Sequence, residues 1–189
     1  ARRLARTNIA AFEASGAEFV AVNSAGCGAM LKEYGHLLHD DAAWSARAAA
    51  FAARVRDVSE LLAAAGPRPT RGETRRLTYD APCHLQHAQR VVAPPAAVLG
   101  AIGGATLVPL AGSDQCCGSA GIYNLLEPAT ADAVLAPKLA AIAATGAAVV
   151  ITGNPGCLMQ IGGGLVRAGA TTVARHPVEL LDEGYAREH

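Results

Sequence analysis

Gly146-Ala147-Ala148-Val149-Val150-Ile151-Thr152-Gly153-Asn154-Pro155-Gly156-Cys157 reads as a strand, a tight turn and a helix start, with a cysteine just inside the helix. A short β-branched run closed by Gly, Asn and Pro suits a buried strand and the turn that follows it. The same plan stands 130 positions earlier, without a gap, in Gly16-Ala17-Glu18-Phe19-Val20-Ala21-Val22-Asn23-Ser24-Ala25-Gly26-Cys27. Cys27 is thus the counterpart of Cys157. A looser echo pairs Val58-Ser59-Glu60-Leu61-Leu62 with Val178-Glu179-Leu180-Leu181, ten positions out of register. Self-similarity at a fixed offset marks a repeated structural unit.

Outward from these two stretches, helix and strand signals alternate. Strands are expected at 19–22, 77–79, 105–108, 148–151 and 172–174, and helices around 84–102, 128–145, 156–167 and 177–187. Leu4, Ile9 and Phe12 mark a helix at the start of the chain. Trp44, Ala48, Phe51, Val55, Val58 and Leu62 step by fours and threes, which predicts one long core helix ending at Gly66-Pro67. This alternation predicts an α/β fold: a mostly parallel sheet, Rossmann-like, with helices on both faces.

Cys27, Cys83, the adjacent pair Cys116-Cys117 and Cys157 each fall just after a predicted strand. In open α/β sheets that carboxyl edge is where ligands bind. Four sulfurs from three turns, Cys83, Cys116, Cys117 and Cys157, are therefore expected to meet there. Four thiolates are the usual complement of an iron–sulfur cluster, and the wide spacing suits a site assembled by tertiary folding. One zinc ion fits less well, because its structural sites favour short C-x₂₋₄-C chelation. A vicinal disulfide, a dithiol switch and a Cys–His nucleophile stay open as alternatives.

Tyr79-Asp80-Ala81-Pro82-Cys83-His84 ends a strand and opens a helix, with Asp80 as its expected cap. The helix dipole should lower the pKa of Cys83 there. His84 is expected to hydrogen-bond toward the site, and Gly118 and Asn154 to lie beside the sulfurs. Small residues around Cys116-Cys117 let backbone N–H groups come close to bound sulfide.

The 189 residues are 51% hydrophobic, with sixteen basic and sixteen acidic side chains. That length buries a substantial core, and balanced charge points away from nucleic acid. No stretch reaches the roughly 18 apolar residues of a membrane span. An odd count of five cysteines argues against a secreted disulfide framework and for a cytoplasmic location.

The spacing Cys83, Cys116-Cys117-Gly118, Cys157 resembles the cysteine-rich CCG domain of heterodisulfide-reductase-type iron–sulfur proteins, which occurs in tandem copies. Within that family, Asn23 to Gly35, Asp80 to Gln89 and Cys116 to Leu126 look like the iron–sulfur subunit of bacterial glycolate oxidase, and the likeness runs over essentially the whole chain. The resemblance implies an electron-transfer subunit that serves flavin-bearing glycolate oxidase partners, where FAD resides, and passes electrons toward a quinone or other acceptor. It also implies a place at or near the inner face of the cytoplasmic membrane, held peripherally. Residues 1–66 would be the end of a first CCG copy and 67–189 a complete second one. The copies close elsewhere with C-x-x-C. Here Gln160 stands three positions after Cys157 and Met30 three after Cys27, which implies a four-thiolate [4Fe–4S] cluster on Cys83, Cys116, Cys117 and Cys157. Cys27 would belong to a separate, incomplete metal site and stand apart in space.

Overall fold

A computed structural model describes residues 1–72 and 74–187. The amino-terminal part holds helix α1 (Arg2–Ser15), strand β1 (Val20–Val22), α2 (Ala25–Lys32), α3 (Tyr34–Leu37), α4 (Ser45–Ala52), β2 (Val55–Asp57) and α5 (Val58–Ala65). Strands β1 and β2 pair in parallel, Val20 with Val55 and Val22 with Asp57. Ile9, Val22, Leu38, Phe51 and Val55 form a buried core beside them, with Tyr34 stacked on Phe51 at 5.3 Å and Phe12 edge-on to it at 5.4 Å.

Here the structure corrects the sequence reading. Trp44 to Leu62 is not one helix but helix, strand, helix. Asp57 stops the periodicity: its Oδ1 accepts from the Ser59 amide at 2.9 Å, while Glu60 Oε2 accepts from the Asp57 amide at 2.8 Å. This reciprocal capping box opens a new helix at Val58, and the residues before it are released to pair with β1.

The second part continues with β3 (Arg75–Tyr79), a π-helical turn at His84–Ala88, α6 (Ala93–Gly100), β4 (Ala105–Val108), α7 (Tyr123–Leu126), α8 (Pro128–Thr145), β5 (Val149–Ile151), α9 (Pro155–Arg167), β6 (Val173–Arg175) and α10 (Pro177–Ala186). The helix expected over 84–102 is thus two pieces. Arg90 adopts a left-handed φ of 59° between them, and Pro94-Pro95 can only open a new helix.

All neighbours in the second sheet are parallel, in the order β4-β3-β5-β6. Val150 faces Leu135, Ile142, Ile161 and Leu165 of α8 and α9. Val149 and Ile151 face the other way, toward Leu77, Leu99 of α6, Ile102 and Leu180 of α10. Helices therefore cover both faces of an α/β sheet, as predicted. Every residue of β5 is buried, and at roughly 1.5–3 kcal/mol for each large apolar side chain removed from water this short strand holds the two layers together.

The two similar stretches fold alike. Cys27 is the third residue of α2 and Cys157 the third of α9, after extended caps at Ser24 and Asn154. Asp57-Glu60 and His176-Glu179 both form capping boxes, at the starts of α5 and α10. Replacing Asp57 by Ala should cost about 1–2 kcal/mol in urea unfolding; an unchanged midpoint would show that the cap does not define β2 and α5.

Candidate metal centre

Because β3, β4 and β5 run the same way, the turns that leave them share one edge. Between β3 and β5 the strand order reverses, and a crevice opens there. Cys83 follows β3, Cys116-Cys117 follow β4 and Cys157 follows β5. Cys117 and Cys157 are buried with their sulfurs 3.1 Å apart. Cys83 and Cys116 are partly exposed, and Cys116 lies near enough to help push the Cys83 thiol up. Cys116 and Cys117 both act on Cys83, so thiols from the three turns share one neighbourhood around the Cys117–Cys157 contact.

A cavity of about 460 Å³ opens beside them, lined by Cys27, Cys83 and Cys157, though not by Cys116 or Cys117, together with His84, Asn154 and small residues. Cys27 does not stand apart, contrary to the sequence expectation. Its turn is stitched against the second sheet: Asn154 Oδ1 accepts from the Gly26 amide at 3.3 Å, Gln89 Nε2 donates to Ala25 O at 2.8 Å, and His176 Nε2 lies 3.1 Å from Asn23 O. The counterpart turns of the repeat therefore face each other across one cavity.

The sulfurs receive hydrogen bonds from the neighbours picked out in the sequence. Asn154 Nδ2 donates to Cys157 Sγ at 3.3 Å and the Gly118 amide to Cys116 Sγ at 3.3 Å, and His84 Nδ1 lies 3.6 Å from Cys83 Sγ. Gly118 has a left-handed φ of 88°, and a Cβ there would sit 2.5 Å from Ala131 O, so only glycine lets this loop close on α8. A Cβ on Gly156 would meet Ser119 Oγ at 2.9 Å, which explains the small residue beside Cys157. Gln160, where a further cysteine would close C-x-x-C, is buried and accepts from Asn124 Nδ2 at 2.9 Å.

Electrostatics separate the thiols. The hydrogen bond with Cys157 pulls Cys117 down to about 7, and the same contact, with burial, pushes Cys157 up. Cys83 is pushed up to about 11, first by burial and then by Cys116. The expected lowering by a helix dipole does not occur, since Cys83 precedes a single π turn rather than a regular helix.

The sequence matches the cysteine-rich CCG domain family over residues 1–32 and 77–162. The chain belongs to this family. It is 42% identical over 187 residues to a probable glycolate oxidase iron-sulfur subunit of Bacillus subtilis, an alignment spanning 96% of this chain and 42% of that one. It is 34% identical to the glycolate oxidase iron-sulfur subunit of Escherichia coli, over 97% of this chain and 45% of that one. Lactate utilization protein A of an Exiguobacterium species is 33% identical over 97% of this chain and 76% of its own length. The chain spans less than half of the two glycolate oxidase subunits.

The CCG turns fit an iron–sulfur group in donor chemistry and in room. The cavity is many times the roughly 30 Å³ of a water, and small residues such as Ser119, Ala120, Gly121 and Gly156 line it beside the sulfurs. Among the described residues, no three His, Cys, Asp or Glu side chains gather tightly enough for a single metal ion. Thiols spread over three turns beside a cavity instead suit a cluster, which distributes its thiolates over several irons. In the metal-free protein, ultraviolet thiolate absorbance should show one group ionising near pH 7: thiol below, thiolate above. That step should vanish in Cys117→Ser and move upward in Cys157→Ala. All thiols titrating near the usual 8.5 or so would contradict this ordering.

Proposed function

We propose that this chain is the electron-transfer part of a hydroxy-acid oxidoreductase, holding one [4Fe–4S] cluster on Cys83, Cys116, Cys117 and Cys157. The observation that carries the reading is the gathering of the thiol-bearing turns at the carboxyl edge of a parallel sheet, where Cys117 touches Cys157, Cys83 feels both Cys116 and Cys117, and Cys83 and Cys157 line one cavity. The names of its relatives support a 2-hydroxy-acid system, glycolate or lactate. The cluster would supply reversible one-electron storage. Its partners would be flavin-bearing subunits, where the hydroxy acid is oxidised on FAD, and a quinone or other acceptor.

In this role the protein's residues hold and bias the group. Each thiol gives up its proton on binding, and Cys117 gives it up most readily. Asn154 Nδ2 and the Gly118 amide, donating to sulfur, favour the more negative reduced form and so raise the potential. Burial of Cys117 and Cys157 keeps water from that side, while the half-exposed Cys83 and the exposed Cys27 face the open side, by which electrons would enter or leave. Cys27, although it lines the same cavity, would not be one of the four ligands. No helix among the described residues is long and apolar enough to cross a membrane; the proposed location is cytoplasmic, with peripheral attachment to the membrane.

A second reading, disulfide reduction by the thiols, is favoured by the 3.1 Å contact of Cys117 with Cys157. Anaerobic reconstitution separates the two. The cluster reading predicts about four irons per chain and a brown colour bleached by dithionite, both lost in Cys117→Ser and kept in Cys27→Ser. Stoichiometric zinc without iron, or equal loss in the two variants, would contradict it, and turnover of disulfides by metal-free protein would favour the second reading.

A further inference from the structure

The buried stripe of α8 is Ala131, Leu135, Lys138, Ile142 and Thr145. Lys138 is the anomaly, a charged side chain only 2% exposed within an apolar face. Its ammonium has a partner for each of its three protons: Asp80 Oδ1 at 2.6 Å, Gly112 O at 2.8 Å and Ser113 O at 3.4 Å. The other Asp80 oxygen accepts from Thr152 Oγ1 at 3.0 Å. Asp80 is therefore not a helix cap, as the sequence suggested. It is half of a buried ion pair.

These partners lie on the three turns that carry the thiols. Asp80 is three residues before Cys83, Ser113 three before Cys116, and Thr152 five before Cys157. The Ala81 amide adds a bond of 3.0 Å to Ser113 O, so the first two turns also touch directly. A buried ion pair contributes little net stability compared with apolar side chains of the same shape. An apolar residue at 138 would complete the stripe, yet it could not tie the exits of β3 and β4 together, with the exit of β5 joined to them through the bond from Thr152 to Asp80.

We propose that Lys138, with Asp80 and Thr152, is a positioning clamp that fixes the three thiol-bearing turns relative to one another before any metal arrives. The clamp deepens the cluster reading and rests on it for its purpose, but it acts on the metal-free chain and can be tested there. Lys138 and Asp80 touch no sulfur in the hydrogen-bond network, so they act through the turns they hold.

The test compares wild type with Asp80→Asn/Lys138→Met, which removes the pair without stranding a charge, with Thr152→Val, and with Lys32→Met, which breaks the half-buried Lys32–Glu60 pair elsewhere. In metal-free protein with unchanged far-ultraviolet circular dichroism, the buried thiols of the double variant should react with Ellman's reagent about tenfold faster, since lost charge-assisted hydrogen bonds raise local opening. Thr152→Val should move the same way by a smaller factor, and Lys32→Met should not move. After reconstitution, the double variant should retain less iron and show a broadened electron paramagnetic resonance signal. Thiol rates within about twofold of wild type in a folded double variant, well under the loss of one charged hydrogen bond, would overturn the clamp. So would an equal change in Lys32→Met. Should the double variant fail to fold, Thr152→Val decides: a rate equal to wild type overturns the clamp, and a faster one supports it. A wild type that takes up no iron removes the cluster reading, while the thiol rates still judge the clamp.

Discussion

The parallel pairing of β3 with β4 on one side and β5 on the other is the constraint on which the rest depends. Parallel strands leave a sheet at the same edge, so turns far apart in sequence become neighbours without any contact between them having to specify it. The reversal of strand order between β3 and β5 leaves a crevice there, and Cys83 and Cys157 follow the two strands that border it. The buried β5, sandwiched between apolar layers, holds the arrangement in register. Tyr79 to Asp80 extends β3 toward the thiols through the bond from the Asp80 amide to Ile151 O at 2.8 Å.

Much of this was legible in the sequence because it was local. Val149-Val150-Ile151 could hardly be anything but a buried strand, and the Gly, Asn and Pro that follow define the turn into Cys157. What misled was a degenerate signal. Val55 and Val58 fit helical spacing as well as they fit a strand followed by a helix start, and Asp57-x-x-Glu60, which resolves the ambiguity, is a side-chain to backbone exchange that apolar periodicity ignores. The single charge in the apolar stripe of α8 was likewise a readable sign, but its meaning depends on Asp80 and Ser113, which only tertiary folding brings beside it.

Cys27 shows the limit of reasoning from repeats. The 130-residue offset correctly paired its turn with that of Cys157, yet equivalence within a repeat says nothing about where two copies sit. The turns face each other because Asn154, the cap of one helix, also serves the other: its amide oxygen accepts from Gly26 and its amide nitrogen donates to Cys157. One side chain thus links the paired turns to each other and to a buried thiol. Such a link makes movement of the first turn felt at the sulfur of the second.

The central claim is that four thiols on three turns hold one multi-iron group. Native mass spectrometry of the anaerobically reconstituted chain tests it most directly, because it counts bound atoms on intact protein. A mass increase equal to four irons and four sulfides, absent in Cys157→Ser, is the predicted result for a cubane-type cluster. An increase equal to a single metal ion, or the full increase surviving in Cys157→Ser, would contradict it.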